Sequence, residues 1–277
     1  MSRDTSFYYS FLVLPPRKRG AIIAVWDFCR AVDDAVDEAP EGSSAQERLS
    51  LWRDELAACY AVDSPAADAA PRTPQGQALV PYIRAFNLPR RPFDDLIDGV
   101  EMDLARDRYE TFSDLADYCR RVASAVGLVC VEIFGYRDPA ARTYASDLGM
   151  ALQITNIIRD VRADLEKGRV YLPAEDMARF RVTVEDLRAG RLTPAVSGLM
   201  RFECERARFY YTKAATELPP ADRRSLLAAE IMGGIYLEIL RRIENSGYDV
   251  FSRRVRVPRP RRAVIALHLW ARAIFSR

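Results

Sequence analysis

Residues 148–173, LGMALQITNIIRDVRADLEKGRVYLP, change character half-way along. The first half is apolar, with returns three and four residues apart, which predicts a helix packed inside a domain. Further on, Asn156, Asp160 and Asp164 recur in steps of four and so share one face of that helix. One helix thus runs from a core into a cavity and presents oxygen atoms there, and polar groups so placed need partners.

Outward from this stretch the same periodicity dominates and strand-like alternation is scarce, so the chain reads as all-α. Helices are predicted over 17–39, 44–61, 76–86, 90–105, 111–135, 139–165, 194–217, 221–246 and 260–275. That is more than a four-helix bundle needs. Asp63–Gln75, with Pro65, Pro71 and Pro74, reads as a surface loop inside a single domain.

A second acidic stretch, RAVDDAVDE at 30–38, places Asp33 and Asp37 four apart and Asp34 and Asp37 three apart. Like charges so spaced cost an isolated helix about 0.2–0.5 kcal/mol per pair, so a cation or solvent must offset them. A solvated acidic face is the alternative for this stretch alone. Two helices bearing hard oxygen ligands suit Mg²⁺, which takes one or two carboxylates, several waters and substrate phosphate oxygens. Arg30, Arg159 and Arg169 accompany the two clusters, and guanidinium groups bind phosphate bidentately. Phe28, Cys29 and Val32 beside Arg30 predict a partly buried face for it.

Four stretches in order resemble the squalene/phytoene synthase family of head-to-head prenyltransferases, over nearly the whole chain. They are SFYYSFLVLPPRKRGAIIAVWDFCRAVDDAVDE at 6–38, YCRRVASAVG at 118–127, the stretch at 148–173, and MGGIYLEIL at 232–240. The resemblance implies an isoprenoid synthase fold, one helical domain over 1–277 around a central cavity. It implies several Mg²⁺ ions on Asp33, Asp37, Asn156, Asp160 and Asp164. Those aspartates, with Arg30 and Tyr118, would be catalytic; Ser6, Tyr9, Arg30, Asp34, Gln153, Asn156, Arg159, Arg169 and Tyr236 would bind substrate. Trp26 stands where the family usually carries tyrosine, and an indole N–H donates a hydrogen bond but accepts none. Phe7, Tyr8, Phe28, Met102, Val126, Leu152 and Tyr236 are the expected cavity lining.

Within the family, YCRRVASAVGLVCVEIFGY and the tail YDVFSRRVRVPRPRR are most similar to bacterial presqualene diphosphate synthases of hopanoid biosynthesis. The expected reaction joins two farnesyl diphosphates, releases one diphosphate and keeps the other on the product, without NADPH. Phytoene or dehydrosqualene synthase and NADPH-dependent squalene synthase are the alternatives within the family, and a non-catalytic helical assembly factor the alternative outside its chemistry. Downstream isoprenoid enzymes are the expected protein partners.

Composition agrees. With 49% hydrophobic residues the 277-residue chain can bury a large core, and 41 Lys and Arg against 39 Asp and Glu leave a net charge of +2, which advertises no nucleic-acid partner. The single histidine, His268, speaks against a zinc site, a Ser-His-Asp triad and a di-iron centre. Cys29, Cys59, Cys119, Cys130 and Cys204 form no Cys-x-x-Cys pair and read as reduced core residues of a cytoplasmic protein. The apolar run 7–14 is followed by Arg17-Lys18-Arg19 without a cleavage site, and Ala263–Trp270 is far short of the roughly 20 residues of a spanning helix. Residues 252–277 hold eight arginines and no acid, followed by an amphipathic pattern at Val264, Leu267, Trp270, Ala271 and Ile274. That pattern predicts either peripheral contact at the inner membrane face or a terminal helix packed on the domain.

Overall fold

The structure, a computed structural model, describes residues 8–37, 44–61 and 70–275. It is all-α. A short helix α1 (Tyr8–Phe11) precedes α2 (Pro16–Asp37), α3 (Ala45–Ala61), α4 (Pro74–Phe86), α5 (Arg91–Ala105) and α6 (Phe112–Cys119). After a π-helical turn at Arg120–Ser124 come α7 (Ala125–Phe134), α8 (Ala140–Glu166), the short α9 (Ala174–Arg179) and α10 (Val184–Arg188), α11 (Pro194–Glu217), α12 (Leu227–Asn245) and α13 (Arg259–Phe275). Among the described residues no helix is long and apolar enough to cross a membrane.

Helix starts follow local chemistry. Thr73 accepts from the Gly76 N–H ahead of Pro74, Thr111 and Thr183 close capping boxes with Asp114 and Asp186, and Thr193 caps α11 ahead of Pro194. Buried Glu55 of α3 accepts from the backbone N–H groups of Arg72 and Thr73 and from the Thr73 hydroxyl, fixing the entry to α4.

α8 is the central element. Its N-terminal part, with Tyr144, Ala145 and Leu148, belongs to a core formed mainly by α2 to α5 and α7; Met150, Ile154, Ile158 and Val161 belong to a second core with α11 and α12. α11 lies along α8 for much of its length. On the other side the backbones of α8 and the π-helical turn nearly touch: a Cβ at Gly149 would lie 2.7 Å from Ser124 Cα. The Ser124 hydroxyl donates to the Ser146 carbonyl at 2.7 Å. In the second core Glu203 and Asp176 share the Arg206 guanidinium, which lies 4.0 Å above the Phe112 ring.

The predicted long helices match closely, with two corrections. The helix predicted over 111–135 runs unbroken from Phe112 to Phe134 but widens into a π-helical turn at Arg120–Ser124, where α8 presses against it. The one predicted from 221 begins at Leu227, because buried Asp222 is used as an acceptor for the Arg137 and Asp138 N–H groups at 2.9 Å each.

Candidate active site

A polar pocket of about 440 Å³ opens between α2, α5, α6 and α8. α2 brings Asp33, α5 brings Asp103, α6 brings Tyr118, and successive turns of α8 bring Gln153, Asn156, Asp160 and Asp164. α8 ends in a Schellman turn: Arg169 N–H donates to the Asp164 carbonyl at 2.9 Å and Gly168 N–H to that of Leu165 at 3.0 Å. Gly168 takes φ 79°, and the chain turns back so that Arg169 and Tyr171 also face the pocket.

The charges are arranged unevenly. Arg159 chelates Asp160 from the neighbouring position, Nε donating to Oδ1 at 2.9 Å. Arg254, from the segment before α13, donates to both oxygens of the same carboxylate. Burial pushes Asp160 up, but hydrogen bonds and charge from these two arginines hold its carboxyl below the usual carboxylate range. Asp164, one turn on, goes the other way: burial and the Asp160 charge beside it push its pKa up to about 7. Asn156 donates to Gln153 Oε1 at 3.3 Å, while its own Oδ1 is buried without a hydrogen-bond partner.

Opposite these groups Tyr118 donates to Asp103 Oδ2 at 3.0 Å and Tyr171 to Oδ1 at 2.9 Å. The two rings stack with centroids 5.3 Å apart, and Tyr109 stacks on Tyr171 at 5.9 Å. Burial, with Asp103 alongside, raises the Tyr118 hydroxyl well above its ordinary pKa, so it stays protonated.

The polar pocket continues into an apolar cavity of about 360 Å³, walled by Phe11, Ile22, Leu96, Phe134, Tyr144 and Met232 among others. Asp33, Val122, Gln153, Asn156 and Arg159 line both spaces. The Arg159 guanidinium lies 6.0 Å over the ring of Tyr236, which lines the apolar part. Such a space fits a ligand with an anionic head and a long hydrocarbon tail.

The profile of the squalene/phytoene synthase family matches residues 1–261. The chain belongs to the squalene/phytoene synthase family. It is 36% identical to the 15-cis-phytoene synthase of Synechocystis sp. over 280 residues, 97% of this chain and 81% of that protein. It is 35% identical to a phytoene synthase of Mycobacterium bovis over 268 residues, covering 94% and 84%. A ligand-bound dehydrosqualene synthase superposes with a TM-score of 0.86 at 29% identity, covering 97% and 92% of the chains. The squalene synthase HpnC of Alicyclobacillus acidocaldarius superposes with 0.75 at 31%, covering 88% and 89%. The fold is therefore the isoprenoid synthase fold.

Of the residues singled out in the sequence, Asp33, Tyr118, Gln153, Asn156, Arg159, Asp160, Asp164 and Arg169 line the polar pocket, and Tyr236 the apolar one. Ser6 and Phe7 lie outside the described residues, as do the side chains of Tyr8, Tyr9 and Asp37. Arg30 and Asp34 do not join the group. They pair with each other at 3.4 Å over a shallow depression against the start of α4, and the Arg30 side chain is 62% exposed. The partly buried face expected for Arg30 is corrected: Cys29 and Val32 point inward, and Arg30 is rotated out of their stripe. Phe28 is also corrected from cavity wall to core, edge-on to Trp52 and Phe93. Met102 packs against the second core and is outside the cavity lining, whereas Val126, Leu152 and Trp26 belong to it.

Sequence reading missed Asp103, Tyr171 and Arg254. Asp103 follows Asp98 and Glu101 on α5 and looks there like one more exposed acid. Arg254 sits among the tail arginines, and only the fold returns it to the pocket.

Among the described residues no three His, Cys, Asp or Glu side chains converge as a ready-made metal site. The donor set still suits Mg²⁺ shared with a phosphate-bearing ligand, since that ion needs one or two carboxylates. The unpartnered Asn156 Oδ1 and the crowded Asp164 are oxygens a cation would satisfy.

Proposed function

We propose that this enzyme joins two farnesyl diphosphates head to head, giving presqualene diphosphate and free diphosphate. Head-to-head condensation of prenyl diphosphates is the chemistry of the family; the chain length and product are the proposal. One observation carries the reading: an acid- and arginine-lined pocket opens directly into an apolar cavity, with Asp33, Gln153, Asn156 and Arg159 at the join.

Asp33, Asn156, Asp160 and Asp164, together with Asp37 by position, would hold Mg²⁺. When bound, that ion offsets the negative charge growing on the departing diphosphate. The chain's own residues do the rest. Arg159, Arg169 and Arg254 donate hydrogen bonds to the diphosphate oxygens as the allylic C1–O bond breaks and its electron pair leaves with the diphosphate. The apolar walls keep water from the allylic cation. The double bond of the second chain attacks that C1, a proton passes from the same carbon to the released diphosphate as the cyclopropane closes, and the second diphosphate stays on the product. Tyr118 and Tyr171 line the polar pocket, and aromatic rings there stabilise a nearby cation by about 0.5–2 kcal/mol.

A second reading, condensation of two C20 chains to phytoene, is supported by the names of the sequence relatives. Purified protein with Mg²⁺ and either farnesyl or geranylgeranyl diphosphate, each with and without NADPH, separates the two. A phosphorylated C30 product unchanged by NADPH supports the first reading. A C40 hydrocarbon replaces it with the second, and squalene formed only with NADPH with a squalene synthase.

A further inference from the structure

The outward face of α13 is apolar apart from His268. Ala263, Val264, Leu267, His268, Trp270, Ala271, Ile274 and Phe275 fall on one side of the helix, without a single Lys, Arg, Asp or Glu. Val264 is 54% exposed, Leu267 63% and Phe275 80%. The opposite face is packed: Ile265 and Leu269 lie against Gly234 of α12, where a Cβ would sit 3.0 Å from each. The alternative of a terminal helix packed on the domain thus holds for one face only.

Charge indicates what covers the other. Residues 252–277 contain no acid, and the arginines divide by role. Arg254, Arg261 and Arg272 pair with Asp160, Glu238 and Glu230, and Arg262 is buried against the Val257 carbonyl. Arg253 and Arg256 stand exposed in the segment that leads into the helix. An apolar face without charges, flanked by exposed cations, complements a bilayer whose headgroups are anionic. A second copy of this chain would bring the same arginines against themselves.

We propose that α13 lies on an anionic lipid surface, with Leu267, Trp270, Ile274 and Phe275 inserted among the acyl chains and Arg253 and Arg256 on the headgroups. This places the membrane one helix away from the apolar cavity, since α12 turns Met232 and Tyr236 into that cavity and Gly234 toward α13.

The test is co-sedimentation of the full chain, without substrate, with vesicles of phosphatidylcholine containing 30% phosphatidylglycerol and with pure phosphatidylcholine vesicles. Trp270 fluorescence, isolated by subtracting a Trp270→Phe variant, is followed in parallel. The expected results are binding to the anionic vesicles, its loss in 0.5 M NaCl, and a blue shift of Trp270. Each basic side chain near such a surface adds about fivefold in partitioning, so Arg253→Glu with Arg256→Glu weakens binding by about 25-fold or more. Leu267→Ser with Ile274→Ser weakens it at least tenfold while activity in detergent is kept, because both side chains are exposed. Protein left in the supernatant of the anionic vesicles overturns the proposal. So does a dimer in sedimentation equilibrium that Leu267→Ser with Ile274→Ser dissociates while vesicle binding is unchanged. A chain that binds vesicles yet forms no prenyl product leaves the lipid contact standing and removes only the condensation reading.

Discussion

Arg254 and Asp160 stand 94 positions apart in the chain and meet as a two-bond pair, Nε to Oδ1 at 2.8 Å and Nη2 to Oδ2 at 3.0 Å. The C-terminal segment is thereby tied to the C-terminal part of α8 at the polar pocket, and Asp160 receives a second guanidinium beside that of Arg159. Arg254→Ala is expected to raise KM for the prenyl diphosphate and lower kcat, together by at least tenfold in kcat/KM. Arg254→Lys recovers little of this, because an ammonium cannot make two parallel hydrogen bonds. The Arg254 side chain is 54% exposed, so the melting temperature should hardly move. Steady-state kinetics with a thermal melt checks both, and unchanged kinetics in Arg254→Ala would remove it from the site.

Carboxylate charge in the polar pocket is expected to be decisive for turnover. Asp33→Asn and Asp160→Asn should each lower kcat by about 10² to 10³, the scale for losing one charge-stabilising group. Chelation of divalent ions should abolish activity and added Mg²⁺ restore it. Wild-type turnover of either variant at saturating Mg²⁺ would sink the metal assignment.

Tyr118 offers its hydroxyl to Asp103, and Tyr171 offers the other side of the same carboxylate its own. Tyr118→Phe leaves one Asp103 oxygen short of a donor and is expected to cut kcat about tenfold with little change in KM. The product mixture should be analysed as well, because a shifted ring alters which bond the cation forms. An unaltered kcat and product ratio would make Tyr118 plain core.

The contact of Gly149 with Ser124 leaves no space for a methyl group, and the atoms in the way belong to backbone. Gly149→Ala should cost about 1–3 kcal/mol, the usual scale for overpacking. At about 2–4 °C per kcal/mol, a calorimetric scan would register this clearly. Unchanged melting would mean that α8 and the π-helical turn can separate freely.

Glu203 provides a pH test. Burial raises its carboxyl to about 7 despite Arg206, above the ordinary 4.5 that it regains on unfolding. Its contribution to stability is therefore full below pH 4.5 and is lost as pH rises through 7. Glu203→Gln removes that titration, so its melting temperature relative to wild type should climb between pH 5 and pH 8. A flat difference would show that Arg206 keeps Glu203 ionised throughout.

The helical architecture was legible because its long helices carry their own periodicity and caps, as with Thr193 and Pro194 at α11. Half of the polar pocket was legible as well, since Gln153, Asn156, Asp160 and Asp164 lie on one helix and their spacing is local. What sequence could not supply depends on side-chain direction or distant return. Arg30 lies three residues before Asp33 yet turns outward to Asp34. Asp103 acquires meaning only when Tyr118 and Tyr171 converge on it, and Arg254 only when the tail folds back. The π-helical turn is likewise a tertiary effect, set by how closely Gly149 lets two backbones approach.

The two connected spaces separate two kinds of inheritance. Phe134 and Tyr144 border only the apolar cavity, whereas Asp160, Asp164 and Arg169 border only the polar pocket. Substitutions in the first set can change how many carbons are accommodated without disturbing the acids and arginines of the polar pocket. Specificity set by a hydrophobic wall is coarse, about 1–3 kcal/mol per methylene, so small changes there suffice to redirect it. A lineage built on this chain can drift from one terpenoid skeleton to another while its polar pocket stays fixed.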